Sequence, residues 1–524
     1  MKSDHRAKRR LLAGVFVASA VAMIVPITAA AKPPIPQQAC DSRDNNSYSK
    51  LLECVRLEGV REHQEALQAI ATANGGTRAD TTPGYLASLD YVDDTMTAAG
   101  WDVSRDEFQY PAATIVVERT APSPTKPYAA LTALETGEGE VTTGITAVDV
   151  NLTPPRDPVT SGCQGPDPNN PDDFDTFPTG NIALIQRGTC TFGEKVANAQ
   201  AAGASAVIIF NQGNTPGRTA LDFRPTLGFQ ATIPVLAVSY PSGEELASAT
   251  QAHVKVDFFT ATSYNVIADL HGVNDSNIVM AGAHLDSVPA GPGINDNGSG
   301  SAALLEVGQQ LANHVPQNTI RLAWWGAEEL GLIGSTAWVT QQVTEGTLDD
   351  VALYLNFDMI GSPNYFFGVY DANLSTFKPP PAVPIPPGST DIEATFESFY
   401  TFAGEPYDDT EFSGRSDYQA FINNGVPSGG LFTGAEVPKT AAQQLIWGGT
   451  TGAQFDPCYH QACDTFANNN DHALDVNIDA VAFAVLKYSY STESVNGEPG
   501  IPVPGKFTVP APAGPEHTFT DPTP

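Results

Sequence analysis

The chain has 524 residues, of which 41% are hydrophobic, so it is long enough for two or three domains or for one large domain with an insertion. Its 26 Lys and Arg residues face 59 Asp and Glu residues, which gives a formal net charge of −33. A field of that sign repels nucleic acid and anionic lipid surfaces, so neither is expected as a partner.

Residues 1–31 have the pattern of a secretory signal peptide. The basic segment MKSDHRAKRR precedes the apolar run LLAGVFVASAVAMIVPI, and small residues around Ala29–Ala31 suit a signal peptidase. The apolar run is at the lower limit of length for a spanning helix, so a membrane anchor is the alternative. We expect cleavage and a secreted, extracellular protein whose mature form has no membrane contact.

The six cysteines of an exported chain predict three disulfides. Sequence alone leaves the pairing open, and free buried thiols are the alternative that export disfavours. Proximity along the chain favours Cys40–Cys54, Cys163–Cys190 and Cys458–Cys463.

Secondary-structure patterns divide the rest of the chain into four segments. Residues 32–115 contain two helical patterns, VREHQEALQAIATAN and GYLASLDYVDDTMTAAG, and then the strand pattern DVSRDEFQY. Residues 116–261 are rich in Thr, Pro and short β-branched runs, and they include one compact αβ unit between residues 181 and 211. Strands and helices alternate over residues 262–490. Residues 491–524 are Pro-rich and lack a core-forming pattern, so we expect them to be disordered or removed.

The segment 262–490 predicts an α/β fold. Near-continuous apolar strands such as NIVMAGA are typical of a sheet that is buried on both faces and is mostly parallel. In such open sheets, ligand sites lie beyond the carboxyl ends of the strands.

Acidic and imidazole side chains occur at these strand ends or in short loops. The positions are His284, Asp296, Glu328, Glu329, Asp358 and His460. Each position alone has a structural explanation, such as a core histidine, a helix cap, a turn residue or an acid that complements a helix dipole. Their convergence on element ends instead favours one shared site.

Two histidines and three carboxylates form a ligand set that suits two zinc ions. A bridging carboxylate holds such a pair about 3.5–4 Å apart, and the two metals then polarise a hydroxide and a substrate carbonyl. One glutamate of the adjacent pair would be a ligand, while its neighbour would take the proton of the bridging water as general base.

The motifs around these positions resemble those of the secreted bacterial leucine aminopeptidases with co-catalytic zinc. The similarity covers about residues 55–115 and 262–485. The motifs that carry it are HLD at 284–286, INDNGSG at 294–300, WGAEELG at 325–331, NFDMIG at 356–361 and DPCYH at 456–460. The resemblance implies a three-layer domain with a central mixed, mostly parallel sheet, and it implies two zinc ions.

The resemblance also implies a role for each residue. It assigns the bridge to Asp296, one zinc to His284 and Asp358, the other zinc to Glu329 and His460, and the general base to Glu328. It also implies supporting roles for two further residues. Tyr459 would stabilise the oxyanion, and Asp286 would accept a hydrogen bond from the ring of His284. A cis peptide bond after Asp296 is implied as well.

Other positions match the substrate and calcium sites of relatives. Arg415 lies where the family lines its substrate site, with a surface ion pair as the alternative. Met359 and Phe432 match an apolar pocket for the first side chain, with core packing as the alternative. Asp475 and Asp479 match two Ca²⁺ ligands of some relatives. Because Cys54 replaces the N-terminal acidic partner, we favour a solvated acidic helix face over calcium.

Residues 116–261 resemble a protease-associated domain inserted into the peptidase. The segments GNIALIQRGTCTF at 180–192 and AGASAV at 202–207 carry this resemblance. No catalytic group is evident there, so we expect a lid or substrate-access role, with a purely structural appendage as the alternative.

Together these patterns predict a monomeric, secreted di-zinc aminopeptidase that cleaves apolar residues from the N-termini of peptide substrates. One alternative is a carboxypeptidase on the same fold, with Arg415 binding the substrate carboxylate. The other is a non-catalytic peptide-binding relative, which the six intact site positions disfavour.

Overall fold

The structure is a computed structural model that describes residues 36–166, 172–221, 223–378 and 383–519. The predicted signal peptide at residues 1–31 lies outside the described residues. Within the described ranges, no helix has the length and apolar character needed to cross a bilayer.

Helices and strands alternate along most of the chain. The α-helices are α1 Gln37–Asp41, α2 Tyr48–Leu51, α3 Leu57–Ala73, α4 Pro83–Ala98, α5 Phe192–Ala201, α6 Tyr240–Leu246, α7 Gly298–Gln310, α8 Ile333–Glu345, α9 Ser389–Ala403, α10 Tyr418–Asn423, α11 Ala441–Trp447, α12 Asp471–Tyr490 and α13 Glu493–Asn496. The strands are β1 Asp102–Ala121, β2 Lys126–Pro127, β3 Leu131–Thr132, β4 Gly139–Val148, β5 Ile182–Gln186, β6 Ala206–Phe210, β7 Val235–Val238, β8 Gln251–Leu270, β9 Asn274–His284, β10 Asn318–Trp325, β11 Val351–Phe357, β12 Gly368–Tyr370, β13 Asp408–Thr410 and β14 Ser428–Phe432. Two 3₁₀ turns are at Pro216–Arg218 and Leu348–Asp350.

The main domain is built on a mixed sheet with the strand order β13-β12-β14-β11-β9-β10-β8, and β1 pairs with β8. The four central strands, β14, β11, β9 and β10, are parallel to one another. Strands β8 and β12 run antiparallel to their central neighbours. The predicted central, mostly parallel sheet is therefore confirmed.

Both faces of this sheet are buried, as the apolar strands predicted. In β9, Val279 and Ala281 pack into a core with helices α3, α4, α7, α9 and α12. The intervening Met280 packs on the opposite face with helices α8 and α10. Successive side chains of a strand point to opposite faces, so an apolar strand requires helices on both sides. The result is the expected three-layer domain.

The inserted domain continues the main sheet through two long strands. Strands β1 and β8 pair antiparallel from Asp102↔Asp269 to Ala121↔Gln251. Strand β4 pairs with the far half of β8, and the order then continues β5-β6-β7-β3. The expected boundaries at 116 and 261 fall inside these two strands, so a paired ribbon connects the two domains.

The three predicted disulfides are confirmed. Cys40–Cys54, Cys163–Cys190 and Cys458–Cys463 have Cα–Cα distances of 5.5, 5.7 and 5.3 Å. The last of them closes the short loop that carries His460.

The Pro-rich tail differs from the disordered segment expected from the sequence. After α13, and without further regular structure in its described part, it runs along the main domain and packs the partly buried Val503, Phe507 and Phe519 against the main core. The tail is anchored near its end, where Thr518 donates hydrogen bonds to Asp408. Its apolar residues are too widely spaced to form a helix or strand pattern, which is why the sequence did not indicate this packing. Removal of the tail stays a prediction.

Candidate metal centre

Three neighbouring parallel strands carry four of the predicted site residues at their carboxyl ends. His284 is the last residue of β9, and Asp358 directly follows β11. Glu328 and Glu329 come shortly after β10. Because β9 lies between β10 and β11, these side chains meet where the central strands end, on the carboxyl-terminal side of the sheet.

Two loops supply the remaining predicted residues. Asp296 lies just before α7, whose N-cap is Asn297, and the Asp296–Asn297 peptide bond is cis as the resemblance implied. His460 lies inside the loop that the Cys458–Cys463 disulfide closes. The structure therefore brings all six side chains together.

Asp296 lies between the two imidazoles. Its Oδ1 is 3.2 Å from His284 Nε2, and its Oδ2 is 3.4 Å from His460 Nε2. Asp358 Oδ1 is 3.3 Å from His284 Nε2, and Glu329 Oε2 is 3.0 Å from His460 Nε2. The cluster thus has two halves, each with one imidazole and one carboxylate, and Asp296 is shared between them.

Glu328 lies on the His284 side of the cluster. Its Oε2 is 4.0 Å from His284 Nε2, farther than the oxygens of Asp296 and Asp358. One ligand atom from each of His284, Glu328 and Asp358 nevertheless falls within a 4.8 Å group, and a second such group joins His284, Asp296 and Glu329. Glu328 is therefore close enough either to bind a metal or to act on a molecule bound beside one.

The electrostatics of the cluster favour a bound cation. Burial and neighbouring negative charges raise the pKa of Glu328 well above its usual value. Burial and the charge of Asp296 raise the pKa of Glu329 to about 7. Burial would lower the pKa of His460, but its hydrogen bonds with Asp296 and Glu329 raise it to about 10. These pKa shifts arise because several buried carboxylates lie close together, an arrangement that bound protons or cations stabilise.

Two buried carboxylate oxygens of the site, Glu329 Oε1 and Asp358 Oδ1, have no hydrogen-bond partner in the described part of the chain. A buried oxygen without a donor is costly unless a cation interacts with it. Nitrogen and carboxylate oxygen are ligands that zinc accepts. The residues present therefore fit the two zinc ions that the sequence predicted.

Asp286 contacts the ring of His284 as expected, but through its backbone carbonyl and not through its carboxylate. His284 Nδ1 lies 3.0 Å from the backbone carbonyl oxygen of Asp286, while the carboxylate Oδ1 is 3.6 Å away, too far for a hydrogen bond. The carboxylate instead accepts the backbone N–H groups of Glu328 and Glu329 at 3.1 and 3.3 Å. Asp286 thus positions the ring through its carbonyl and the glutamate pair through its carboxylate.

Two supporting residues were missed by sequence reasoning. Ser416 donates a hydrogen bond to Asp358 Oδ2 at 2.7 Å, which leaves Oδ1 facing His284. Asp464 accepts the backbone N–H of Asp296 at 3.0 Å. Both residues lie beside matched segments, in GRSDYQAF and just after DPCYHQAC, but neither has a pattern that indicates its partner.

The site opens into a cavity of about 810 Å³. Met359 and Phe432 line it as expected, and Phe366, Phe377, Phe455 and Phe519 extend the apolar wall. Arg415 also lines the cavity, where it donates to Glu436 at 2.8 Å and to the Tyr459 hydroxyl at 3.1 Å. The cavity therefore combines an apolar wall with a carboxylate-rich floor.

The two acids considered for calcium lie on α12. Asp475 is exposed and Asp479 is half-buried. Burial and the charge of Asp475 raise the pKa of Asp479 to about 8. In the part of the chain that the structure describes, the acid and histidine clusters compact enough to hold a metal do not include this pair.

Comparison with known families gives two matches. The model of peptidase family M28 matches residues 265–485, and that of the PA domain matches residues 148–246. The second match lies inside the segment 116–261.

Curated relatives are similar over most of the chain. An aminopeptidase of Pseudomonas aeruginosa is 44% identical over 463 residues, which is 86% of this chain and 84% of that protein. A probable lipoprotein aminopeptidase of Mycobacterium tuberculosis is 41% identical over 85% of this chain and 87% of that protein. Leucine aminopeptidase 2 of Trichophyton rubrum is 44% identical over 65% of this chain and 68% of that protein.

Solved structures show the same fold. A zinc aminopeptidase from Bacillus subtilis aligns with a TM-score of 0.60 at 25% identity, covering 82% of this chain and 95% of that one. An aminopeptidase from an Aneurinibacillus strain aligns with a TM-score of 0.54 at 23% identity, covering 88% of this chain and 99% of that one.

Proposed function

This chain belongs to peptidase family M28, and on that premise we propose that it is a secreted di-zinc aminopeptidase that removes apolar residues from the N-termini of peptides. The observation that carries the proposal is Asp296, whose two carboxylate oxygens face His284 and His460 separately. A carboxylate in that position can bridge two cations, and each half of the site adds one imidazole and one further carboxylate.

The zinc ligands in this proposal are the two imidazoles and three carboxylates of the site. His284 and Asp358 hold one ion, Glu329 and His460 hold the other, and Asp296 is shared. When bound, such a pair of ions acidifies water and polarises the carbonyl of the scissile peptide bond.

Glu328 is the general base in this proposal. Its side chain is 9% exposed and lines the cavity, and its backbone N–H is fixed by the carboxylate of Asp286. A buried carboxylate with a raised pKa accepts a proton readily from water and can return it to the leaving amine. In the same proposal, the Tyr459 hydroxyl, which accepts a hydrogen bond from Arg415 at 3.1 Å, donates one to the developing oxyanion.

The charge around the site favours recognition of an amine over a carboxylate. Arg415 is the cation that a carboxypeptidase would need, but its guanidinium already contacts Glu436 and Tyr459. Carboxylates dominate the floor of the cavity and attract the α-ammonium group of a free N-terminus. The aromatic wall supports a preference for apolar first residues.

The test of this function is hydrolysis of matched peptides that differ only at their ends. We expect a Leu-initiated peptide to be cleaved and its N-acetylated form to resist cleavage, because acetylation removes the ammonium charge. Amidation of the C-terminus should change the rate little, and Phe, Met and Leu should be preferred over Asp and Glu as first residues. Each rate is measured before and after chelation and after zinc is restored.

The opposite pattern would support the carboxypeptidase alternative. If amidation stops cleavage while acetylation is tolerated, Arg415 anchors a substrate carboxylate and the aminopeptidase proposal fails. A chain that binds these peptides but cleaves none of them after zinc loading would be a non-catalytic relative.

The hydroxyl of Ser416 leads to a second prediction, for metal affinity. Ser416→Ala removes the hydrogen bond that orients Asp358 Oδ2, so we expect zinc affinity to fall about 10–100-fold. Competition with a chromophoric chelator measures the change. Ser413→Ala is the matched control, since Ser413 also lines the cavity, whereas the hydroxyl that donates to Asp358 Oδ2 belongs to Ser416. Equal zinc affinity in both variants would exclude this role for Ser416.

A further inference from the structure

A second acidic cluster lies at the edge of the main sheet that β12 and β13 form. We call it the edge cluster, and it consists of Asp371, which directly follows β12, Asp409 in β13 and Glu393 in α9. One carboxylate oxygen from each of the three lies within 4.8 Å of the others. The three residues are 1%, 0% and 1% exposed, so they form an interior group.

The negative charge of the edge cluster is reinforced by its surroundings. After burial itself, the groups that most raise the pKa of Glu393, to about 8, are the carboxylates Glu397, Asp371 and Asp409. Burial and the charge of Asp409 likewise raise the pKa of Glu397 to about 7. Neighbouring carboxylates therefore oppose one another's ionisation.

The loop of residues 371–377 fixes two of the three carboxylates. Asp371 accepts the backbone N–H groups of residues 375, 376 and 377 at 2.9, 2.9 and 2.7 Å. Glu393 accepts two N–H groups of Asn373, from its backbone at 2.9 Å and its side chain at 2.7 Å. These bonds hold both carboxylates in place. Asp371 Oδ2 accepts two of them, whereas Asp371 Oδ1 and the two Glu393 oxygens accept one each and keep a lone pair to offer.

Asp409 provides the observation that points to a ligand. Its Oδ2 accepts the hydroxyl groups of Ser375 and Thr376, each at 2.6 Å. Its Oδ1 is buried and has no hydrogen-bond partner among the residues that the structure describes. An ionised oxygen that is removed from water without a donor costs stability, and a cation among three carboxylates would offset that cost.

We propose that the edge cluster is a structural binding site for a divalent cation with oxygen ligands, calcium above all. Carboxylates from a loop, a strand and a helix form an all-oxygen site, which suits calcium, an ion with a flexible geometry and a preference for such ligands. Zinc favours sites that include nitrogen or sulfur, and the edge cluster contains neither His nor Cys. This site is separate from the metal centre and from the Asp475–Asp479 pair on α12.

An ion at the edge cluster would connect three elements near the substrate cavity. Phe377, at the end of the loop, and Thr410, the last residue of β13, both line that cavity. A cation that holds the loop against β13 and α9 would therefore stabilise one wall of the apolar pocket. Its loss should raise KM for apolar peptides more than it lowers kcat.

The test is to titrate the zinc-loaded full chain with calcium. Calorimetry measures calcium binding, and the unfolding midpoint Tm, measured with and without calcium, gives the change in stability. We expect one calcium ion to bind and Tm to rise by about 2–4 °C. In Glu393→Gln and Asp409→Asn, calcium affinity should fall at least about tenfold and the Tm increase should largely disappear. Without calcium, both variants should be at least as stable as the unmodified chain, because each removes one of the mutually repelling charges.

Asp479→Asn is the matched control, since it removes an acid that lies outside the edge cluster. This variant should bind calcium like the unmodified chain. If Asp479→Asn abolishes binding while Glu393→Gln and Asp409→Asn retain it, calcium binds on α12 and the proposal is overturned.

A shared proton is the rival occupant of the edge cluster. The acids that face Glu393 are Glu397 from its own helix, Asp371 from the loop and Asp409 from β13. With the folded-state pKa of Glu393 near 8 and an unfolded value near the usual one, protonation stabilises the fold as pH falls below 8. If neither calcium nor magnesium binds or raises Tm, and Tm rises from pH 8 to pH 6, a proton occupies the cluster and the proposal fails.

Discussion

Glu328→Gln is expected to retain both zinc ions and to lower kcat about 10²–10⁴-fold, the usual contribution of a general base. The amide has nearly the shape of the carboxylate, and the Asp286 carboxylate still holds the backbone N–H of residue 328. What the variant loses is the ability to accept a proton. Zinc per chain, measured by atomic absorption, and kcat with a Leu-initiated peptide check the two parts separately.

Glu329→Gln is the comparison variant, because the two glutamates are adjacent and share the contact with Asp286. This change should lower zinc content, since Glu329 Oε2 lies 3.0 Å from His460 Nε2 within one half of the metal centre. Glu328 also lies close enough to His284 and Asp358 to be a ligand. Zinc loss in Glu328→Gln as large as that in Glu329→Gln would show that Glu328 binds metal.

Asp296→Asn is expected to remove zinc and activity together. The carboxylate of Asp296 faces both imidazoles, so its charge offsets the repulsion between two dications, which a neutral amide cannot do. We expect less than one tightly held zinc per chain and activity near the limit of detection at ordinary zinc concentrations. Zinc titration with activity as a second readout measures both quantities.

Asp349→Asn is the control for a simple loss of one negative charge, because Asp349 is exposed in the turn before β11. It should leave zinc content and kcat unchanged. Two tightly bound zinc ions in Asp296→Asn would mean that Asp296 is not the bridge, and another carboxylate of the site would then have to fill that role.

The strand-end residues could be predicted because their signal is local. Each apolar strand is a continuous pattern, and a charged residue directly after it must lie beyond the carboxyl end of that strand. Ser416 and Asp464 gave no such signal. Ser416 is 58 residues from its partner Asp358, and Asp464 is 168 residues from Asp296, so only the folded chain brings each pair together.

The edge cluster and the packing of the tail could not be predicted from the sequence either. Asp371, Glu393 and Asp409 belong to three separate elements, and no short motif contains more than one of them. The phenylalanines of the tail are isolated among prolines and polar residues, so their packing depends on the main core, which distant segments form. Periodicity detects a face of one element, whereas these features depend on long-range packing.

The paired strands β1 and β8 make the inserted domain the enlarged tip of a β-hairpin. A hairpin can lengthen at its tip without changing any pairing behind it, because each added residue on one strand finds its partner on the other. Along the ribbon Pro111 pairs with Thr260, so a cut at that level leaves two neighbouring ends that a short turn can join. Such a domain can enter or leave a gene as one contiguous block, and the strands that carry the metal centre keep their register in either case.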